Sequence, residues 1–208
     1  MKYGNKIIVG VLTLCAAAIF LFTLFHSAVY VTSDETDTGV GPANTTVPTV
    51  VASPQEVASW PAHIRIPAVG VDAGVDDVGL GKSGNMAVPY TYTEVGWYRY
   101  GTLPGNTGSA VIDGHVDNGL GGAAVFARLG ELKAGDSIYI ETADGETLHF
   151  KVEETASYAV NEVPRERLFN RDDAPRLNLI TCEGTWDQNA KMYDRRLVVY
   201  AVLASENS

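Results

Sequence analysis

From Trp60 onward the chain is written in short apolar alternations, each cut by Gly, Pro or Asp before it could complete a helix. In Ala62-His63-Ile64-Arg65-Ile66-Pro67 the two isoleucines share a face, the period of a half-buried strand. Val69 to Leu80 continues as strand-like pieces broken at Gly70, Gly74 and Gly79. Gly96-Trp97-Tyr98-Arg99-Tyr100 is aromatic strand material, closed by the turn Leu103-Pro104-Gly105-Asn106. Ser109–Asp113, Ser137–Ile140, Leu148–Val152, Leu177–Ile180 and Leu197–Val202 read as further strands, with the hairpin signal Asp144-Gly145 between the second and third. Helical spacing occurs in Ala123–Leu132, through Val125, Phe126 and Leu129, and one more turn is expected at Arg165–Phe169 in the polar connection Tyr158–Pro175. The last two strands are expected to be joined by a loop carrying Trp186. Many short strands with so little helix predict an antiparallel all-β sandwich or barrel.

The 208 residues suffice for one such domain and an anchor, and a hydrophobic content of 46% supports a real core. Formal charge is −10, unevenly placed: residues 1–32 hold only Lys2 and Lys6, so the remainder is more acidic still. No basic stripe is present, which excludes a nucleic-acid partner, since that affinity rests on clustered Lys and Arg. Ile7 to Phe25 carries no charge and no proline. At the helical rise it spans roughly 28 Å, close to the hydrocarbon thickness of a bilayer. The lysines before it and the acids Asp34, Glu35 and Asp37 after it favour a cytoplasmic amino terminus. A cleaved signal peptide would have a shorter apolar core and a better site than His26-Ser27-Ala28, so a retained transmembrane helix is expected. Residues 1–32 therefore read as a cytoplasmic tip and anchor, and residues 33–58, rich in Thr, Val, Pro, Gly and Ser, as a flexible extracytoplasmic linker. Residues 59–208 form the folded domain.

Within that domain Cys182 is a solitary thiol at the end of an apolar strand, Leu177-Asn178-Leu179-Ile180-Thr181-Cys182, with Glu183-Gly184 following. The only other cysteine, Cys15, lies in the apolar anchor, so no intramolecular disulfide partner is available outside the membrane. A thiol with a normal pKa near 8.5 is a weak nucleophile at neutral pH and needs a nearby base or cation. Of the four histidines, His26 sits at the membrane boundary, while His63 and His149 alternate with apolar neighbours and should face solvent. His115 follows Gly114 off a strand end, where a loop presents side chains, and is the candidate base. Arg195 and Arg196 open the strand after the Cys182 loop and could stabilise an oxyanion. Successive strand residues face opposite sides, so only one can share the cleft, and the pattern does not choose between them. An inert, buried cysteine in a stalked binding module is the competing reading.

The order Gly114-His115-Val116-Asp117, then Leu179-Ile180-Thr181-Cys182, then Arg195-Arg196-Leu197-Val198-Val199-Tyr200 resembles the sortases, membrane-anchored cysteine transpeptidases of the bacterial cell envelope. The resemblance covers about residues 60–204, and its Gly-His-Val-Asp form looks closest to the class E and F branches. It implies an eight-stranded β-barrel with one or two short helices. It also implies Cys182 as nucleophile, His115 as general acid/base and Arg196 as the positioning or oxyanion-stabilising cation. Arg196 is chosen because the family's arginine immediately precedes the final apolar run; Arg195 is the alternative, and Thr181 would help orient substrate or oxyanion. The implied reaction cleaves a Leu-Pro-x-Thr-Gly-type signal between Thr and Gly. The implied partners are sorting-signal-bearing secreted proteins and an amine acceptor, such as a peptidoglycan precursor or a pilin lysine. Water as acceptor would make the same enzyme an endopeptidase. No cofactor or metal is called for: the scattered Asp and Glu read as surface charge.

Overall fold

The computed structural model describes residues 59–205, so the expected anchor and nearly all of the linker lie outside the described residues. Eight strands close into a barrel: β1 (Pro61–Ile66), β2 (Val71–Val78), β3 (Val95–Tyr98), β4 (Gly108–Asp113), β5 (Ser137–Thr142), β6 (Thr147–Ala159), β7 (Pro175–Asp187) and β8 (Met192–Leu203). Their order around the barrel is β1-β2-β3-β4-β7-β8-β6-β5, closing back on β1. Among the described residues, one α-helix, α1 (Arg165–Phe169), and two 3-10 turns, Pro67–Val69 and Leu129–Glu131, complete the regular elements. The expected eight-stranded barrel with little helix is what forms.

Alternation along the strands divides the apolar side chains between two cores. Ile64, Ile66, Ala110, Ile112, Ile138, Ile140, Leu177, Leu179, Leu197 and Val199 point inward and fill the barrel. The intervening residues Val111, Val198 and Tyr200 point outward, yet they too are buried, because α1 covers them with Leu168. β4 is thus packed on both faces, which is why Ser109-Ala110-Val111-Ile112 reads as a continuous buried run. A bulge between Val152 and Glu154 adds a residue to β6. It turns Ala156 and Tyr158 outward to join the second core.

The cover over that outer face is fastened at several points. The Asn178 amide, 1% exposed, donates to the Leu168 carbonyl (2.7 Å). Arg167 pairs with Glu154 (2.5 Å), and its guanidinium lies 3.7 Å over the Tyr200 ring. Phe169 meets Tyr98 edge to face.

Four sequence expectations are corrected. The barrel is not purely antiparallel: β2–β3 and β4–β7 pair in parallel, because long connections return each chain segment in the same direction. Of the three breaks expected in Val69–Leu80, those at Gly70 (φ +71) and at Gly79, just past the end of β2, are present, but Gly74 sits inside β2 opposite His63. Ala123–Leu132 is not an α-helix. Ala124 and Phe126 donate instead to the carbonyls of Val116 and His115, and the rest folds as tight turns ending in the 3-10 segment. Gly121 and Gly122 before it and Gly130 within it remove the propensity that would sustain a helix. Trp186 is not in a loop: β7 and β8 continue as a ribbon to Asp187 and Met192, with Trp186 opposite Tyr193 and their rings 5.3 Å apart.

Candidate active site

The antiparallel ladder of β7 and β8 places Cys182 directly opposite Arg196. Directly opposed residues project from the same face. That face carries Asn178, Ile180 and Cys182 on β7 and Arg196, Val198 and Tyr200 on β8, the outward side of the barrel. Cys182 and Arg196 therefore meet in a groove of about 550 Å³ whose walls are largely apolar. Leu80, Met86 and Val88 of the β2–β3 connection line one part; Val163, Leu168 and Phe169 of the β6–β7 connection line another. Arg196 donates through Nη1 to the carbonyls of Tyr193 (3.0 Å) and Arg195 (2.8 Å), which fixes the guanidinium against the strand.

Arg195 goes elsewhere. Its Nε donates to Ser157 Oγ (2.8 Å), its Nη2 to the Ser157 carbonyl (3.1 Å), and it lies 3.8 Å from the Glu183 carboxylate. The choice left open by the repeated arginine is thus made by register: Arg196 is in the groove and Arg195 is held in a half-exposed polar network.

His115 arrives from the neighbouring strand. β4 runs parallel to β7, with Asp113 beside Ile180. Past the strand end the ladder continues through Gly114 N–H to the Ile180 carbonyl (3.2 Å) and Thr181 Oγ1–H to the Gly114 carbonyl (2.7 Å). These bonds bring the His115 backbone alongside the Cys182 end of β7. The imidazole itself donates from Nε2 to the Pro89 carbonyl (3.0 Å) and packs against Tyr92, with ring centroids 4.9 Å apart. No hydrogen bond joins it to the thiol among the described residues. Thr181, 3% exposed, is occupied with Gly114, so its hydroxyl serves to hold the segment that carries His115. His63 pairs with Asp72 and His149 stacks on Tyr139, so neither enters the groove.

Burial pushes the Cys182 thiol above its ordinary value; Arg196 opposes the shift, and the carboxylates of Asp113 and Asp117 add to it. The resting thiol is protonated near neutrality, and Arg196 is the group that favours its ionisation. Two acids here were not singled out from the sequence. Asp113, at the end of β4, lies in the groove, and burial pushes its carboxyl up to about 7 against the pull of Arg196. The only sequence signal was an acid closing an otherwise apolar strand directly before Gly114-His115. Asp117 accepts hydrogen bonds from Tyr193 Oη and from the Gly119 amide (2.7 Å), which hold its carboxyl below the usual range. The Tyr193 bond ties the segment after His115 to the β7–β8 ribbon.

A cysteine facing an arginine in an apolar groove, with a histidine on the adjacent strand end, agrees with a family match. The sortase domain model matches residues 64–204. The chain belongs to the sortase family. Sortases are generally cysteine transpeptidases. Among solved structures this sortase is similar to sortase C-1 from Actinomyces oris (25% identity, 69% of this chain and 71% of that one, TM-score 0.54). It is also similar to a lid mutant of sortase A from Corynebacterium diphtheriae (25% identity, 74% and 75%, TM-score 0.55). A sortase C1 from Streptococcus suis shares the fold at 22% identity (73% and 76%, TM-score 0.55). No curated protein matches by sequence.

Proposed function

We propose that this sortase cleaves a Leu-Pro-x-Thr-Gly-type signal between Thr and Gly and passes the acyl group to an amine. The observation that carries the reading is the Cys182–Arg196 pair across β7 and β8, opening into an apolar groove. The groove accepts an extended apolar peptide. Cys182 gives its thiol proton to His115 as Sγ attacks the threonine carbonyl, and Arg196 faces the charge that develops on the carbonyl oxygen, where a fixed cation counts most. His115, whose backbone is delivered beside the Cys182 end of β7, leaves the Pro89 carbonyl and gives a proton to the departing glycine amine. The C–N bond breaks and a thioester remains on Cys182. An incoming amine then attacks that carbonyl and surrenders a proton to His115, which passes it to Sγ as the C–S bond breaks, restoring the thiol.

In the cell, residues 1–32 anchor the chain with its amino terminus cytoplasmic, and residues 33–58 hold the domain of residues 59–208 outside. The partners are secreted proteins carrying the signal and an amine acceptor of the cell wall or a pilin. The Gly114-His115-Val116-Asp117 form supports a place near the class E and F branches. The test is mass spectrometry of products from a sorting-peptide library offered with several amines. Amide products that require both the amine and Cys182 are expected. Cleavage that persists in Cys182→Ala would overturn the assignment, and hydrolysis alone in the presence of every amine would make the enzyme an endopeptidase.

A further inference from the structure

Asp113 is the only acid among the residues that line the groove, and Arg165 and Arg196 are its only Lys or Arg side chains. β4 ends with its carboxyl on the outward face, one strand from Cys182 and two from Arg196. Beneath it lies apolar packing: Val111 on its own strand, with Ile180, Leu168 and Val198 around it. A carboxylate in that setting is poorly hydrated, and its charge acts on two partners with opposite sign: it attracts the guanidinium and opposes the thiolate.

We propose that Asp113 is a positioning residue of this reaction centre, whose carboxyl decides whether Arg196 serves the thiol and the substrate or is drawn to an acid of its own chain. The inference rests on the assignment of Cys182 and Arg196 as the reacting pair and adds a third group to it. In the neutral form Asp113 leaves the positive charge of Arg196 to stabilise the thiolate and the developing oxyanion. In the ionised form it cancels much of that field. Burial places the change near neutral pH, with the carboxyl pushed up to about 7. The other titratable groups acting on this corner are His115 after β4, Asp117 in the following segment, Tyr193 on β8, and Tyr98, Tyr100 and Arg165 in the groove walls.

The test follows alkylation of Cys182 by iodoacetamide from pH 5.5 to 9.5 in the full chain, read by mass spectrometry of the Cys182 peptide so that Cys15 does not contribute. In the wild type the logarithm of the rate should rise with unit slope, bend near pH 7 as Asp113 ionises, and then resume. The bend should amount to about half a pH unit, roughly threefold in rate. Asp113→Asn should climb without the bend and react about threefold faster than wild type at pH 8. The bend should survive in His115→Gln, which removes the imidazole that follows β4 and leaves Asp113 in place. A bend lost in His115→Gln, a wild-type profile without one, or an Asp113→Asn profile superimposed on the wild type would each overturn the proposal. The wild-type and His115→Gln profiles decide it even if Asp113→Asn fails to fold. Alkylation needs no substrate. A bend that depends on Asp113 in a protein that cleaves no sorting peptide therefore sinks the transpeptidase reading and leaves this one standing. Normal peptide transfer with no bend does the reverse.

Discussion

Gly114→Ala isolates the geometry that delivers His115. A Cβ added at Gly114 would lie 2.5 Å from Phe126 Cδ2 and 2.9 Å from both Cγ and Cε2 of the same ring. The ring cannot simply turn away, because Phe126 is fully buried in the barrel core. The backbone cannot slide either, since Gly114 donates to Ile180 (3.2 Å) and accepts from Thr181 (2.7 Å). Forcing a methyl into such a site costs about 1–3 kcal/mol. For a domain of this size that corresponds to a melting point lowered by roughly 3–10 °C. Relief has to come partly from moving the Gly114-His115 segment, so turnover should fall further than stability alone explains. Calorimetry and steady-state kinetics on Gly114→Ala, Phe126→Leu and the double variant make the measurement. Phe126→Leu opens the space the methyl needs, so the double variant should be more stable than the sum of the single losses by about 1 kcal/mol or more. Strictly additive losses, or a Gly114→Ala protein that melts within about 1 °C of wild type, would refute the steric account.

The two arginines should separate cleanly: Arg196→Ala should lower kcat by about a hundredfold or more, as loss of an oxyanion-facing group does. Arg195→Ala, which dissolves only a partly exposed network with Ser157 and Glu183, should stay within about threefold; equal effects in peptide cleavage assays would contradict the register. Asp113 should make stability depend on pH, because its folded carboxyl holds a proton up to about 7 while its unfolded one releases it near 3.8. That contribution is present below about pH 4 and lost as pH rises through 7, up to a ceiling of about 4 kcal/mol before water access is counted. Urea titrations of wild type and Asp113→Asn should therefore show the variant gaining relative stability between pH 4.5 and 8, and a constant difference would count against it. Leu168→Ala removes the one buried side chain of α1. It should cost roughly 2–5 kcal/mol and raise KM for a sorting peptide more than it lowers kcat, measured by melting and initial rates.

What the sequence made legible was the alternation, and alternation is what builds this barrel. Ile64 with Ile66 and Leu177 with Leu179 went inward as their spacing required. Strand direction left no trace in it, so the parallel β4–β7 pair was missed although it is the pairing that carries His115 toward Cys182. Arg195 and Arg196 were indistinguishable because each shares its face with apolar residues. The pattern could not reveal that one of those faces is the barrel interior and the other a second core under α1. Asp113 was overlooked for a related reason. An acid at a strand end ordinarily reads as solvated, and only the cover laid over the outer face by Leu168 and Phe169 makes its position a groove floor.

The site depends on β7 holding its register to within one residue. Thr181 faces inward to Gly114 and Cys182 outward to Arg196; a slip of one position would exchange them and turn the thiol into the barrel. The strand is pinned on one side by the parallel ladder to β4 and on the other by the antiparallel ladder to β8. Just beyond the cysteine the β8 register shifts, between Glu183 and Trp186. There Gly184 takes φ +88, and a Cβ on it would fall 2.1 Å from Asp194 Oδ1. The same Asp194 oxygen accepts from the Thr185 amide (2.7 Å), so the irregularity has a built partner and a residue that only glycine satisfies. A bulge fixed in this way stops register errors in the exposed ribbon from propagating back through Cys182. The short motif Thr181-Cys182-Glu183-Gly184 therefore encodes a clamp on the neighbouring strand, the proposed nucleophile, and the bulge that keeps the two from changing places.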